Sequence, residues 1–155
     1  MKIAIIVHSN SGNTFSVAEE VQVKLRNIGH EVVIEKVVAS NNQEVEVAKV
    51  ELISKPPLEG YDAYVFAAPV HAFSLSGVMR AYLGQIIDLE SKPVCYFLTM
   101  HFPFRWMGGN HASKQFSKAL EKKKASIKGY SVINWGLQKK RTRQIIETVN
   151  LIDFN

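Results

Sequence analysis

His8-Ser9-Asn10-Ser11-Gly12-Asn13-Thr14 joins an apolar run to an amphipathic segment and carries three hydroxyls (Ser9, Ser11, Thr14), two carboxamides and a glycine. Backbone N–H groups at a helix start have no intrahelical partner, and the helix dipole adds partial positive charge there. A phosphate set against this loop meets donors on every side. No Lys or Arg lies within it, so the binding it suits rests on hydrogen bonds and dipole alone. A Walker loop differs, because its lysine reaches the terminal phosphates. Ser, Thr and Asn are also ordinary helix N-caps, and spacing by itself leaves both readings open.

Two more segments carry unusual side chains. Pro69-Val70-His71-Ala72-Phe73-Ser74 combines a breaker, a histidine and an aromatic ring. The stretch Thr99-Met100-His101-Phe102-Pro103-Phe104-Arg105-Trp106-Met107-Gly108-Gly109-Asn110-His111 holds two phenylalanines, a tryptophan, two methionines and a Gly-Gly pair. Apolar loop clusters of this size cover a ligand or a partner, although the same rings also serve to anchor a long loop to the core. The Gly-Gly pair lets backbone approach a ring edge closely. Histidine is the side chain suited to proton transfer near neutral pH, so His71, His101 and His111 invite a catalytic reading, but they sit on separate segments without a carboxylate, so a metal site is not expected. His8 and His30 read as structural, and Arg105 as an exposed residue able to draw an anion. A phosphate cradle beside aromatic loops suits a ligand with an anionic tail and a flat hydrophobic head.

The elements that position these segments follow from hydrophobic periodicity. Lys2 to Val7 is near-continuously apolar, as a strand buried on both sheet faces must be. Ala18, Val21, Leu25 and Ile28 recur at helical spacing before a stop at Gly29. Glu31 to Val38 reads as a second strand, completing a βαβ unit. Residues 39–60 fit no clean period, and a short irregular helix is expected there, ended by Lys55-Pro56-Pro57. Tyr64 to Ala68 forms a third strand ending abruptly at Pro69. A helix follows with Val78, Tyr82, Ile86 and Leu89 on one side, and then a strand from Pro93 to Leu98. After the long loop come a helix with Phe116 and Leu120 inward, a strand over Tyr130 to Gly136, and a helix over 139–150 carrying Ile145, Ile146 and Val149. Five strands alternating with helices predict one doubly wound α/β domain spanning residues 1–155. Ligands of such sheets bind beyond the carboxyl ends of the strands, where strand order reverses. All three unusual segments leave those ends.

Composition narrows the partners. The apolar fraction of 46% and charged fraction of 21% are those of a soluble globular protein, and no apolar run reaches membrane-spanning length. The apolar start is too short for a signal-peptide core, so a cytoplasmic protein with no membrane insertion is expected. The single cysteine, Cys95, sits in an apolar run and reads as buried and inert. Net charge is +5, with the excess late in the chain at Lys114, Lys118, Lys122-Lys123-Lys124, Lys128, Lys139-Lys140-Arg141 and Arg143. No stacking aromatics interleave with these lysines, so nucleic acid is not the expected partner. A solvated basic face, suited to an acidic partner, is.

Flavin mononucleotide has the shape required, and here the sequence resembles the flavodoxin-like FMN-binding proteins. Ser9-Asn10-Ser11-Gly12-Asn13-Thr14 is similar to their Ser/Thr-x-Ser/Thr-Gly-Asn-Thr phosphate loop. Ala68-Pro69-Val70-His71-Ala72-Phe73-Ser74 resembles the second flavin loop of their reductase relatives, and Trp106-Met107-Gly108-Gly109 the third. The resemblance spans the whole chain in element order. It implies a five-stranded sheet in the order 2-1-3-4-5, noncovalent FMN at the rim, and one- or two-electron redox chemistry. It implies phosphate contacts for Ser9, Ser11, Gly12, Asn13 and Thr14, with Asn10 in the same loop. Around the flavin ring it implies Pro69, Val70, His71, Ala72 and Phe73, together with Thr99, Met100, His101, Phe102, Trp106, Gly108 and Gly109.

Two departures bear on function. Low-potential flavodoxin shuttles are typically acidic and this chain is basic, which favours the anionic reduced flavin. Many flavodoxins also place a glycine where a peptide flip stabilises the half-reduced flavin. Val70-His71-Ala72-Phe73 has none, and φ > 0 is unfavourable for such residues. Two functions follow as expectations: an electron carrier between redox partner proteins, or an NAD(P)H-dependent reductase of quinones or similar small acceptors. A receiver-type module is disfavoured, since Ala68 and Pro69 stand where a phosphorylatable aspartate belongs.

Overall fold

The computed structural model describes residues 1–155. Strand β1 (Lys2–Val7) pairs in parallel with β2 (Glu31–Lys36) on one side and β5 (Ala63–His71) on the other. Strand β7 (Pro93–Met100) continues from β5, and β8 (Ser126–Asn134) closes the sheet as its far edge, giving the order β2-β1-β5-β7-β8. This is the expected 2-1-3-4-5 arrangement of five parallel strands. Helices α1 (Asn13–Asn27) and α4 (Gln138–Leu151) cover one face; α2 (Gly77–Gln85) and α3 (Gly109–Lys122) cover the other. Ile3, Ile5, Val17, Val21, Leu25 and Phe97 pack on the first face, and Tyr64, Phe66, Val78, Tyr82, Tyr96 and Phe116 on the second. Burial on both faces explains the continuous apolar runs of β1, β5 and β7. No helix is long and apolar enough to cross a membrane. Cys95 is buried, and desolvation pushes its thiol up to about 11.

Residues 39–60 correct an expectation, for they form no α-helix. Strands β3 (Val38–Ala39) and β4 (Leu52–Ser54) make a small antiparallel ribbon, joined by a single 3-10 turn at Val47–Lys49. Carboxamides shape the segment: Asn41 donates to Lys49 O (2.7 Å) and accepts from Glu51 N (3.0 Å), while Asn42 accepts from Ala39 N (2.9 Å). These bonds give the backbone a non-helical alternative, and Val45 and Val47 stay exposed. Other boundaries shift as well. The second strand stops at Lys36, before the ribbon, and β8 begins at Ser126, before the expected start. Ile28 and Ile146 are exposed, not inward.

Helix α4 instead seats polar groups on the sheet. Buried Gln144 accepts from Asn134 N (2.7 Å) and donates to Asn134 Oδ1 (3.1 Å), and Thr148 Oγ1 pairs with Ser131 Oγ (2.6 Å). Asn134 also donates through Nδ2 to Phe102 O (2.8 Å), so one buried carboxamide ties the last strand, the last helix and the loop after β7 together. Replacement of Asn134 by Ala leaves buried groups unpaired, at a cost of about 1–3 kcal/mol. Urea unfolding should show that loss, with faster amide exchange across 101–108; unchanged stability would contradict the role.

Candidate functional site

The loops after β1, β5 and β7 converge on the carboxyl end of the sheet, beside the point where order reverses between β1 and β5. The first loop turns sharply at Gly12, whose φ of 94° places it in the left-handed region at the start of α1. Ser9 Oγ accepts from Gly12 N (3.2 Å) and Phe15 N (3.3 Å), which closes the turn from inside. The N–H groups of Asn10, Ser11, Asn13 and Thr14 have no acceptor within the protein, and neither do the Ser11 hydroxyl and Asn13 carboxamide donate within it. Thr14 differs from its neighbours: its side chain is buried, with Oγ1 2.8 Å from Thr99 Oγ1. That bond fixes the start of α1 to the end of β7. The loop is thus more than a capped helix end, because its donors exceed what the fold itself uses.

The second loop is tighter than expected. Strand β5 runs through Pro69 to His71 and turns back at once into β6 (Ser74–Leu75), pairing Val70 with Leu75 and His71 with Ser74. A two-residue hairpin of this kind requires positive φ at both central positions to match strand twist. Ala72 (φ 49°) and Phe73 (φ 63°) comply, which overturns the expectation that this loop avoids φ > 0. Each residue costs roughly 1–2 kcal/mol in that conformation, so its surroundings must hold it. A Cβ on Gly108 (φ 111°) would lie 2.6 Å from Phe73 Cα, so only glycine lets the third loop pack on the hairpin tip.

The third loop is shorter than expected, spanning 101–108. Thr99 and Met100 belong to β7 and are buried, Thr99 on Thr14 and Met100 beneath Gly109, where a Cβ would come within 2.7 Å of its sulfur. Gly109 and His111 belong to α3. The loop is held by Trp135 N on Met100 O (2.6 Å), Gly136 N on His101 O (3.1 Å) and Lys140 Nζ on Pro103 O (2.5 Å), besides the Asn134 bond. Its rings face outward. Phe102 stacks with Phe73 across the two loops (centroids 5.5 Å apart, planes 4° from parallel), and Phe104 stacks with Trp106, which is 74% exposed. An open cleft of about 620 Å³ is lined by Phe73, Trp106, Met107, Gly108 and His111. Another cleft of about 590 Å³, walled by Pro56, Tyr82, Ile86 and Lys92, lies at the opposite end of the sheet, away from these loops.

The structure therefore gathers Ser9, Asn10, Ser11, Gly12 and Asn13 in one loop and brings Ala72, Phe73, Phe102, Trp106 and Gly108 together beside it. Pro69 and Val70 lie within β5, half-buried, and His101 is exposed near Phe102, ring centroids 5.7 Å apart. His8, read as structural from the sequence, ties the end of β1 to the start of α2. Its ring is fully buried, with Nδ1 2.8 Å from Ser76 Oγ, and Ser76 in turn caps α2 by accepting Met79 N (3.2 Å). His71 meets it edge-on at 5.9 Å. The signal for His8 was a polar residue at the end of an apolar strand. His8 Nε2 and His71 Nδ1 have no hydrogen-bond partner.

Burial, with His71 as the second cause, lowers His8 from 6.5 to about 4; burial also lowers His71. Both rings are neutral at pH 7. Below pH 6.5 the unfolded chain takes up protons that the folded one refuses, so stability is full above that pH and falls toward pH 4. His8 alone accounts for roughly 3 kcal/mol. Urea unfolding between pH 7.5 and 4.5 should show this slope, and His8→Asn, which keeps a partner for Ser76, should flatten it. An identical slope in the variant would contradict the assignment.

No protein-family model matches the sequence, and no curated protein does. Solved structures do match in shape. A Streptococcus pneumoniae flavodoxin superposes with a TM-score of 0.68 at 14% identity, over 97% of this chain and 96% of that one. Oxidised flavodoxin 2 of Bacillus cereus gives 0.65 at 21% identity, over 97% of each chain. A Lactobacillus acidophilus flavoprotein in complex with FMN gives 0.63 at 15% identity, over 84% of this chain and 92% of that one. At these identities the likeness establishes the fold, which is flavodoxin-like.

Proposed function

We propose that this chain holds FMN noncovalently at the carboxyl rim and carries electrons between redox partner proteins. The observation that carries this reading is the first loop. It presents four backbone N–H groups, a serine hydroxyl and a carboxamide with no internal acceptor, at the start of a helix and without a cation. That donor set suits a phosphate monoester, and the aromatic loops beside it suit a flat ring. FMN, when bound, supplies the one- and two-electron redox chemistry; the protein supplies binding and electrostatics.

The residues divide the work by position. Ser11 and Asn13, with the free N–H groups of Asn10, Ser11, Asn13 and Thr14, would hold the phosphate. Ser9 keeps the turn closed, and Thr14 locks it to Thr99. Phe73 at the hairpin tip and Phe102 stacked on it would shield the ring from water, with His71, Ala72, Trp106 and Gly108 around them. The hairpin at Ala72-Phe73 holds positive φ at both positions without a glycine. The alternative is an NAD(P)H-dependent reductase, for which the open cleft of about 620 Å³ beside Trp106 and Met107 would have to admit a nicotinamide ring next to the flavin.

Protein purified from cells should be yellow and release FMN on denaturation; colourless protein that takes up no FMN would contradict both functions. With FMN bound, anaerobic NADPH or NADH should leave the colour unchanged until a reductase is supplied, whereas rapid bleaching by either nucleotide alone would favour the reductase. Ser11 is exposed and makes no internal bond, so Ser11→Ala should leave stability alone while weakening FMN by roughly 1.5–3 kcal/mol. Unchanged affinity would move the phosphate elsewhere.

A further inference from the structure

Charge divides this molecule unevenly. Residues 101–146 carry eleven Lys and Arg against one acid, Glu121, while the rest of the chain carries eight against thirteen. The basic segment wraps one edge of the sheet: α3 on one face, the edge strand β8, and α4 on the other face. On the α3 side of that edge lies a small cavity of about 160 Å³ lined by Arg105, Asn110, Ser113, Lys114, Ser117, Tyr130 and Val132. Ser113 and Ser117 both reach the Tyr96 hydroxyl (2.8 and 2.6 Å), and Tyr130, 48% exposed, stacks on the Tyr96 ring with centroids 5.2 Å apart. The polar floor is therefore prearranged. Arg105 and Lys114 form none of the four ion pairs in the structure and donate no side-chain hydrogen bond. Two free cations, a carboxamide and hydroxyls thus line one cavity with no acid among its walls.

We propose that this cavity takes a side-chain carboxylate of an acidic protein partner that docks along the β8 edge. Its volume suits a single carboxylate rather than a nucleotide, and a guanidinium with an ammonium beside it gives the charge-assisted bonds that such a group seeks. Arg105 stands between Phe104 and Trp106 in sequence, so a partner anchored there also covers the exposed stacked pair at the rim. Interfaces are built in this way, with aromatic anchors inside a polar rim. The surrounding lysines steer an acidic partner toward the edge and keep a second copy of β8 from pairing with it. The placement rests on the carrier function, since it sets the partner beside the loops that would hold FMN.

The test uses a hexaglutamate peptide as the probe, with isotope-labelled protein at low salt. Amide shifts should be largest at Asn110 to Ser117 and at Tyr130. Arg105→Gln/Lys114→Gln should weaken the peptide by at least about tenfold. Lys122→Gln/Lys128→Gln removes equal charge from the same basic face outside the cavity and should cost no more than about twofold. Equal weakening by both pairs, shifts centred elsewhere, or tighter binding of a dodecathymidylate than of the peptide would overturn the proposal. FMN titration of the same samples separates the two ideas. Cavity-centred peptide binding by a protein that takes no FMN would keep the carboxylate site and remove the redox role. FMN binding with no localised peptide contact would do the reverse.

Discussion

The burial of β1 between β2 and β5, under helices on both faces, is the constraint from which the rest of the structure follows. A strand in that position has no exposed side, so its six residues had to be near-continuously apolar, and polar chemistry could begin only where it ends. It ends at His8, and the chain reaches its hydrogen-bonding residues at the next step. Because the neighbouring strands are parallel, their loops leave from the same end. Helices on opposite faces then separate those loops just where strand order reverses. The cradle is a consequence of topology, furnished by side chains.

Around that constraint the rim is held by a few buried polar bonds. Thr14 to Thr99 fixes the first loop to the third strand of the rim, Asn134 fixes the third loop to the last helix, and His8 to Ser76 fixes the end of β1 to the helix after the hairpin. Each sits in a dry environment where an unpaired partner is costly. The hairpin tip at Ala72-Phe73 is the strained member of the set. It is held in place by two ladder pairs and by the close approach of Gly108. Rigid elements thus position loops whose own residues have no regular structure.

Much of this was legible in the order of residues. Apolar runs of 2–7, 64–68 and 93–98 announced parallel strands, and the loop Ser9 to Thr14 stood out because its hydroxyls and carboxamides follow such a run. What escaped notice depended on bonds without periodicity. Asn41 and Asn42 replace an expected helix by holding backbone groups across ten residues, and nothing in a hydrophobic pattern reports that. The Ala-Phe hairpin carries none of the Asn-Gly or Gly residues that mark such turns, so positive φ there became visible only in the fold. Ile146 is exposed because α4 turns Gln144 and Thr148 toward the sheet, an arrangement that periodic reading of apolar residues cannot recover. Thr14 kept its place in the loop but spends its hydroxyl on Thr99, a partner 85 residues away.

The central claim is that the first loop binds a phosphate through hydrogen bonds and helix dipole, without a cation. Its most direct test compares FMN with riboflavin, which share the ring and differ in the phosphate, by flavin-fluorescence titration of the flavin-free protein. Three or more charge-assisted bonds should make FMN at least about a hundredfold tighter. Equal affinities for the two flavins would mean that the loop is only the beginning of a helix.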